Sequence, residues 1–247
     1  MSLCQLFPVS SDEPDLPALY AYPDGRWLRA NMVSSADGAA TLSGASAGLS
    51  SDTDRRLFAL LRTLSDVILV GAATVRTERY KPARPAQEPW RDLREGRTAT
   101  PPVAVVTRRL DLDPDSPLIT AAPADARTIV ITTAQAPPDI RAAIEPHADV
   151  IVAGDEGVDF QAAVAALAER GHRRLLAEGG PHLLAELLAA GLLDELCLTV
   201  GPLLAGPGSG RIVTGPLPDG AQPLDLAHVL EEDGFLFCRY TRKNQDH

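Results

Sequence analysis

Three short segments combine glycines with polar residues directly after apolar runs: SSADGAATLSGASAG at 34–48, GAATVR at 71–76 and EGGPHL at 178–183. Glycines at a strand end let backbone amides approach a phosphate, and a helix starting there adds partial positive charge. In open α/β sheets, ligands bind at the C-terminal ends of strands. Two such loops could cradle the pyrophosphate of a dinucleotide. Taken singly, each reads more readily as ordinary strand-to-helix turn chemistry. Neither GxGxxG nor GxxxxGK[ST] occurs, so a standard Rossmann or P-loop site is not expected.

Two carboxylates stand in these segments. Asp37 lies in SADG, where Asp-Gly is first a turn signal. Glu178 ends the apolar run 175–177, where a carboxylate is either solvated or holds a ligand hydroxyl. Arg62, with Arg76, Arg79 and Arg84, offers a basic pocket, although any one arginine is more simply solvated or paired. Five histidines show no HExxH spacing and no Cys/His cluster, so no metal site is expected. GASAG at 44–48 has the letters of a nucleophile elbow but lies in a long loop rather than between strand and helix.

The elements that must position these residues follow from periodicity. Strands are expected at 27–33, 67–70, 103–106, 128–132, 149–153, 173–177 and 193–201, with a hairpin around Gly234 in the tail. Leu57, Leu60, Leu61 and Leu64 fall on one helical face, with Ser51 or Asp52 as cap. Phe160, Val164 and Leu167 mark a second helix ending at Gly171, and PHLLAELLAAG a third. The segment 72–78 fits a helix or a tight turn. Short apolar strands alternating with helices predict an α/β fold: a mostly parallel central sheet with an antiparallel C-terminal edge and helices on both faces. Residues 1–26 read as an arm on the surface. The Pro/Arg-rich stretch 81–102 reads as an excursion over the same domain.

With 247 residues the chain can bury a substantial core. Its net charge of −10 argues against nucleic acid and anionic membranes as partners. Three scattered cysteines suit a reducing, cytoplasmic setting. No signal peptide and no membrane span is visible.

Taken together, NMVSSADG, SDTDRRLFALLRTLSDVILVGAATVR and LLAEGGPHLLAELLAAGLLDELCLTVGPLLAG resemble the reductase domain of the bifunctional riboflavin-biosynthesis deaminase/reductase, in a free-standing form. The resemblance runs from about residue 27 to 241 and implies a dihydrofolate reductase-like fold, with 27–247 as one reductase domain. It implies NADPH as cofactor and a phosphorylated ribosylaminopyrimidine as small-molecule substrate, whose ribose is opened to a ribityl chain. Carried over by position, Thr41, Gly71, Ala72, Thr74, Val75, Gly179, Gly180 and Pro181 would touch the cofactor, with Thr107 and Arg108 near the adenosine phosphate. Asn31, Ser34, Asp37, Ser46, Arg62 and Glu178 would face the substrate. Asp37 and Glu178 are the catalytic candidates, the preferred task of Glu178 being to hold ribose or substrate hydroxyls. A homodimer is implied, with FLFCRYT at 235–241 as a natural edge strand to bury. The chain departs from the pattern at Ala39, where the family often has lysine, at Gly48, where tryptophan is usual, and at ERYKPAR, where Arg84 is the candidate for a family arginine. Two rival readings accompany these departures: a dihydrofolate reductase-like pterin reductase, and a catalytically silent NADPH-binding or sensing protein.

Overall fold

The computed structural model describes residues 2–217 and 220–243. Ten strands form one sheet: β1 (Cys4–Phe7), β2 (Trp27–Ser35), β3 (Val67–Gly71), β4 (Val103–Val106), β5 (Ile129–Thr132), β6 (Asp149–Val152), β7 (Arg174–Ala177), β8 (Glu195–Gly201), β9 (Leu224–Glu232) and β10 (Phe235–Arg242). Their spatial order is β1-β9-β10-β8-β2-β7-β3-β4-β5-β6. From β8 to β6 every pairing is parallel, and β10, β9 and β1 add an antiparallel edge. Among the described residues seven α-helices surround the sheet: α1 (Leu16–Leu19), α2 (Asp52–Leu64), α3 (Ala72–Thr77), α4 (Pro117–Thr120), α5 (Pro138–Ile144), α6 (Phe160–Glu169) and α7 (Pro181–Ala189).

The central strands are continuous apolar runs because both faces are covered. Alternate side chains serve opposite faces, as the two-residue strand period requires. Val67 and Leu69 of β3 join the core with Leu167 of α6 and Leu183, Leu184 and Leu187 of α7. Ile68 and Val70 pack instead with Ala72 and Val75 of α3. Leu57, Leu60 and Leu61 of α2 meet Leu176 of β7. Ser51 caps α2, accepting from the Asp54 amide at 3.0 Å.

Two expectations about the ends of the sheet are corrected. Strand β10 is not an edge, because β8 and β9 flank it. The Asp233–Gly234 turn, with both residues at positive φ, folds β9 back along its free side. The N-terminal arm does more than cover the surface: β1 pairs with β9 and becomes the edge strand. The excursion 81–102 is tied down at one point. Buried Arg94 donates to the carbonyls of Thr63 at 3.0 Å and Ser65 at 2.7 Å, and Arg97 adds bonds to Thr63, Leu64 and Ser65. Together they satisfy carbonyls that the end of α2 leaves open.

Candidate active site

Strands β2, β3 and β7 run side by side and in the same direction, so the loops after them open at one end of the sheet. Gly71 and Gly179 touch there, the Gly71 amide donating to the Gly179 carbonyl at 2.9 Å. Gly179 sits at φ +85, which favours glycine, and its peptide to Gly180 is cis. A Cβ on Gly180 would stand 2.5 Å from Thr74 Oγ1. Gly180 is the cap of α7, with Pro181 in the first turn, where a missing N–H costs nothing. The result is a close crossing of two loops with room for backbone only.

A cavity of about 470 Å³ opens beside this crossing, within the usual range for small-ligand sites. Of the residues expected at the site, Asn31, Thr41, Ser46, Thr74, Glu178, Gly180 and Pro181 line it. Gly71 and Gly179 form the crossing just described. Ala72 and Val75 are buried in the packing of α3 against the sheet, and Ser34 is buried near the end of β2.

Glu178 is held tightly. Arg62 donates to both its oxygens at 2.6 Å, and the Tyr80 hydroxyl donates to Oε2 at 2.7 Å. The Glu178 side chain is 1% exposed, that of Arg62 25%. Burial works against the charge on Arg62, but Glu178 more than restores it, leaving the guanidinium above its ordinary range. Burial, reinforced by the Glu178 charge, raises the Tyr80 phenol well above its ordinary value, so Tyr80 stays a donor. The Arg62 guanidinium also lies 4.3 Å from the centre of the Phe58 ring, a cation–π contact. Arg62 therefore acts on the cavity through Glu178 and Phe58.

Asp37, expected as a catalytic and substrate-facing residue, is tied to a neighbouring loop. It is exposed and outside the cavity lining. Its carboxylate accepts from the Ser35 hydroxyl and from the amides of Ala205 and Gly206 at 3.0 and 2.9 Å. The Ser35 bond first, then the two amides, hold its pKa at about 2, so it carries no proton to give near neutrality. Its work is to latch the loop after β8 onto the SADG turn.

Thr107 and Arg108 follow β4 and are not in the cavity lining. Thr107 is buried and accepts from the Asp111 amide at 3.2 Å, while Arg108 is exposed. Arg84 is also exposed and outside the lining. Ala39 is buried, its amide bonded to Ser35 Oγ at 2.9 Å. At Gly48 a Cβ would stand 3.1 Å from Leu42 Cδ2.

The cavity also contains residues the sequence did not single out: Asp54, Phe58, Glu78 and Tyr80. Ser46 donates to Glu78 through its hydroxyl at 3.0 Å and its amide at 3.2 Å, joining the 41–48 loop to the end of α3. Asp54 and Phe58 had a readable signal. They precede Arg62 by eight and four residues, which puts all three on one stripe of α2. The leucines on the adjoining stripe masked it. Among the described residues no cluster of His, Cys, Asp and Glu suited to a metal ion is found, and no helix is long and apolar enough to cross a membrane.

Known proteins resemble this chain over most of its length. The family model for the RibD C-terminal domain matches residues 26–233. A 2,5-diamino-6-ribosylamino-4(3H)-pyrimidinone 5′-phosphate reductase of Archaeoglobus fulgidus is 30% identical over 159 residues, covering 64% of this chain and 71% of the relative. The protein of the same name from Methanothermobacter thermautotrophicus is 29% identical over 225 residues, 86% of this chain and 96% of that one. Among solved structures, a pyrimidine reductase-like protein from Corynebacterium diphtheriae superposes with a TM-score of 0.81 at 28% identity, covering 93% of this chain and 99% of the other.

Proposed function

The chain belongs to the RibD C-terminal domain family, with its dihydrofolate reductase-like fold, and from that membership we propose that it is an NADPH-dependent reductase of a ribosylaminopyrimidine phosphate, with residues 27–247 as its reductase domain. The observation that carries this reading is the glycine crossing of Gly71, Gly179 and Gly180 against Thr74, opening onto a cavity of about 470 Å³. A side chain on Gly180 would collide with Thr74, so glycine is what lets the two loops cross this closely and leaves backbone at the cavity edge, where a ligand can approach.

In this reading Gly71, Thr74, Gly179, Gly180 and Pro181 hold the dinucleotide, with Thr41 nearby. When bound, NADPH supplies the hydride. The substrate reacts in its open-chain imine form: C1′ gains the hydride, the attached nitrogen gains a proton, and the ribose becomes a ribityl chain. Hydride transfer needs no protein nucleophile; the chain's task is to orient the partners and keep water out. Asn31 and Ser46 offer hydrogen bonds to the substrate. Glu178, immobilised by Arg62 and Tyr80, keeps acceptor capacity for a ribose hydroxyl.

The test is NADPH oxidation by the purified chain, assayed in parallel with the two ring forms of the ribosylaminopyrimidine phosphate, 2-amino-4-oxo and 2,4-dioxo, and with dihydrofolate. Turnover with a pyrimidine is expected. Turnover with dihydrofolate alone would replace this reading by a pterin reductase, and NADPH binding with no turnover at all by a silent binding protein.

A further inference from the structure

Asp54 is the cavity carboxylate that the reading above leaves without a task. It sits in the first turn of α2, half-buried, in the same cavity lining as Phe58 one turn further on. The Thr199 hydroxyl of β8 donates to its Oδ1 at 2.6 Å, and the Ser50 hydroxyl donates to its Oδ2 at 2.5 Å. These bonds fix the plane of the carboxylate from two sides. Each carboxylate oxygen has two acceptor positions, so with one bond described on each, both oxygens keep a position for a further donor.

Two acceptors held side by side match two parallel N–H donors on neighbouring atoms of a flat ring. A 2-amino-4-oxopyrimidine presents such a pair, its ring N3–H and its exocyclic amino group. A 2,4-dioxopyrimidine places a carbonyl oxygen where the amino group would be and so points an acceptor at an acceptor. Phe58 supplies an apolar wall in the same cavity, suited to a planar heterocycle.

We propose that Asp54 reads the N3–H and 2-amino edge of the substrate ring, and so commits the site to the 2-amino-4-oxopyrimidine before deamination. The inference rests on the reductase reading, and deepens it by choosing between the two ring forms. A site built to accept particular hydrogens rejects an analogue that lacks them, because its own polar groups are left unpaired.

The experiment measures binding rather than turnover, with the sugar-free heads 2,5,6-triaminopyrimidin-4-one and 5,6-diamino-1-methyluracil, whose N1 methyl removes a competing N1–H and 6-amino donor pair, titrated calorimetrically into the full chain. The wild type is expected to bind the triamino head about 10- to 100-fold more tightly. Asp54→Asn turns one acceptor into a donor and should bring the two heads within about threefold of each other. Thr199→Val removes a supporting hydroxyl but keeps the carboxylate, and should retain the preference; circular dichroism checks that both variants fold. Equal binding of the two heads by the wild type overturns the proposal without recourse to any variant, and so does an undiminished preference in folded Asp54→Asn. A preference for the triamino head beside an absence of turnover on the full substrate supports Asp54 as the reader while removing the reductase reading. Turnover without the preference does the reverse.

Discussion

Gly180 and Glu178 lie two residues apart and do opposite kinds of work. Gly180 matters for what it lacks. Gly180→Ala is expected to weaken NADPH binding by roughly tenfold or more, at least about 1.4 kcal/mol, because the new Cβ would stand 2.5 Å from Thr74 Oγ1. Fluorescence titration with NADPH measures this, and an unchanged Kd would move the cofactor elsewhere. Glu178 matters for what it holds. Glu178→Ala strands Arg62 beside a buried gap, and losing one partner of a buried pair costs several kcal/mol. Since the Arg62 side chain is one-quarter open to solvent, about 2–3 kcal/mol is expected from urea denaturation. The same variant should lower turnover more than it weakens NADPH binding, because Glu178 sits on the substrate side of the proposed site; the reverse ratio would assign it to the cofactor.

Loops and helix ends are positioned here by side chains that reach across from other elements. Asp37 latches the loop after β8 onto the SADG turn through the amides of Ala205 and Gly206. In Asp37→Ala, hydrogen exchange at those two amides should rise by roughly tenfold or more. Lost turnover without faster exchange would return Asp37 to the chemistry. Arg94 does the same for α2 from the excursion 81–102. It is buried and its guanidinium binds backbone carbonyls of Thr63, Ser65 and Thr98. Burial first, then the neighbouring charge of Arg97, lowers its pKa to about 10, so it remains charged at neutral pH. Arg94→Met is predicted to cost about 2–3 kcal/mol, the scale of hydrogen bonds to a charged group plus carbonyls left unpaired. Thermal unfolding reads that loss, and a Tm equal to wild type would show that the excursion is not anchored there.

Across the whole molecule the sheet divides its labour. Its parallel part carries the site at the strand ends, while the antiparallel edge and the N-terminal arm close over a buried ionic cluster. Arg29 and Glu195 are both fully buried and bonded to each other, with Arg239 and the Trp27 indole also donating to Glu195. The Tyr22 ring lies 4.1 Å from the Arg29 guanidinium carbon, which fastens the arm to β2. Burial pushes the Glu195 carboxyl up, but Arg29 and Arg239 more than offset it and bring it to about 2. His228 of β9 packs edge-on to Tyr20 at 4.8 Å. Its burial first, then the charge of Arg239, lowers its pKa to about 4. The unfolded chain therefore takes up a proton near pH 6.5 that the folded chain refuses until about pH 4. Stability should fall as pH drops through this window and level off below it, by on the order of 3 kcal/mol from this group. Comparing wild type with His228→Phe by urea denaturation at several pH values isolates the term; parallel pH profiles for the two would refute it. Any homodimer that pairs sheet edges must use β1 or β6, since β10 is enclosed.

The sequence by itself determined the central strands and the longer helices of this protein, because their signals are local; β1, α1, α4 and α5 are too short to carry such a signal. The leucine period of α2, the Pro181 start of α7 and the apolar runs of β3 and β7 each record a burial pattern that the chain carries wherever it goes. The three glycine loops were legible for the same reason, and Glu178 with them; Thr41, Thr74 and Gly180 came from the family resemblance, and all four line the cavity. Only the tertiary structure decided which polar side chains share a space. Arg62 and Glu178 are 116 residues apart, Asp54 and Thr199 145, Asp37 and Ala205 168. A hydrogen bond depends on a few ångströms of separation and on angle, and no period in the chain encodes that. The parallel order β2-β7-β3 brought Glu178 to Arg62 and Tyr80, the pairing of β2 with β8 brought Thr199 to Asp54, and Asp37 was drawn away to a loop.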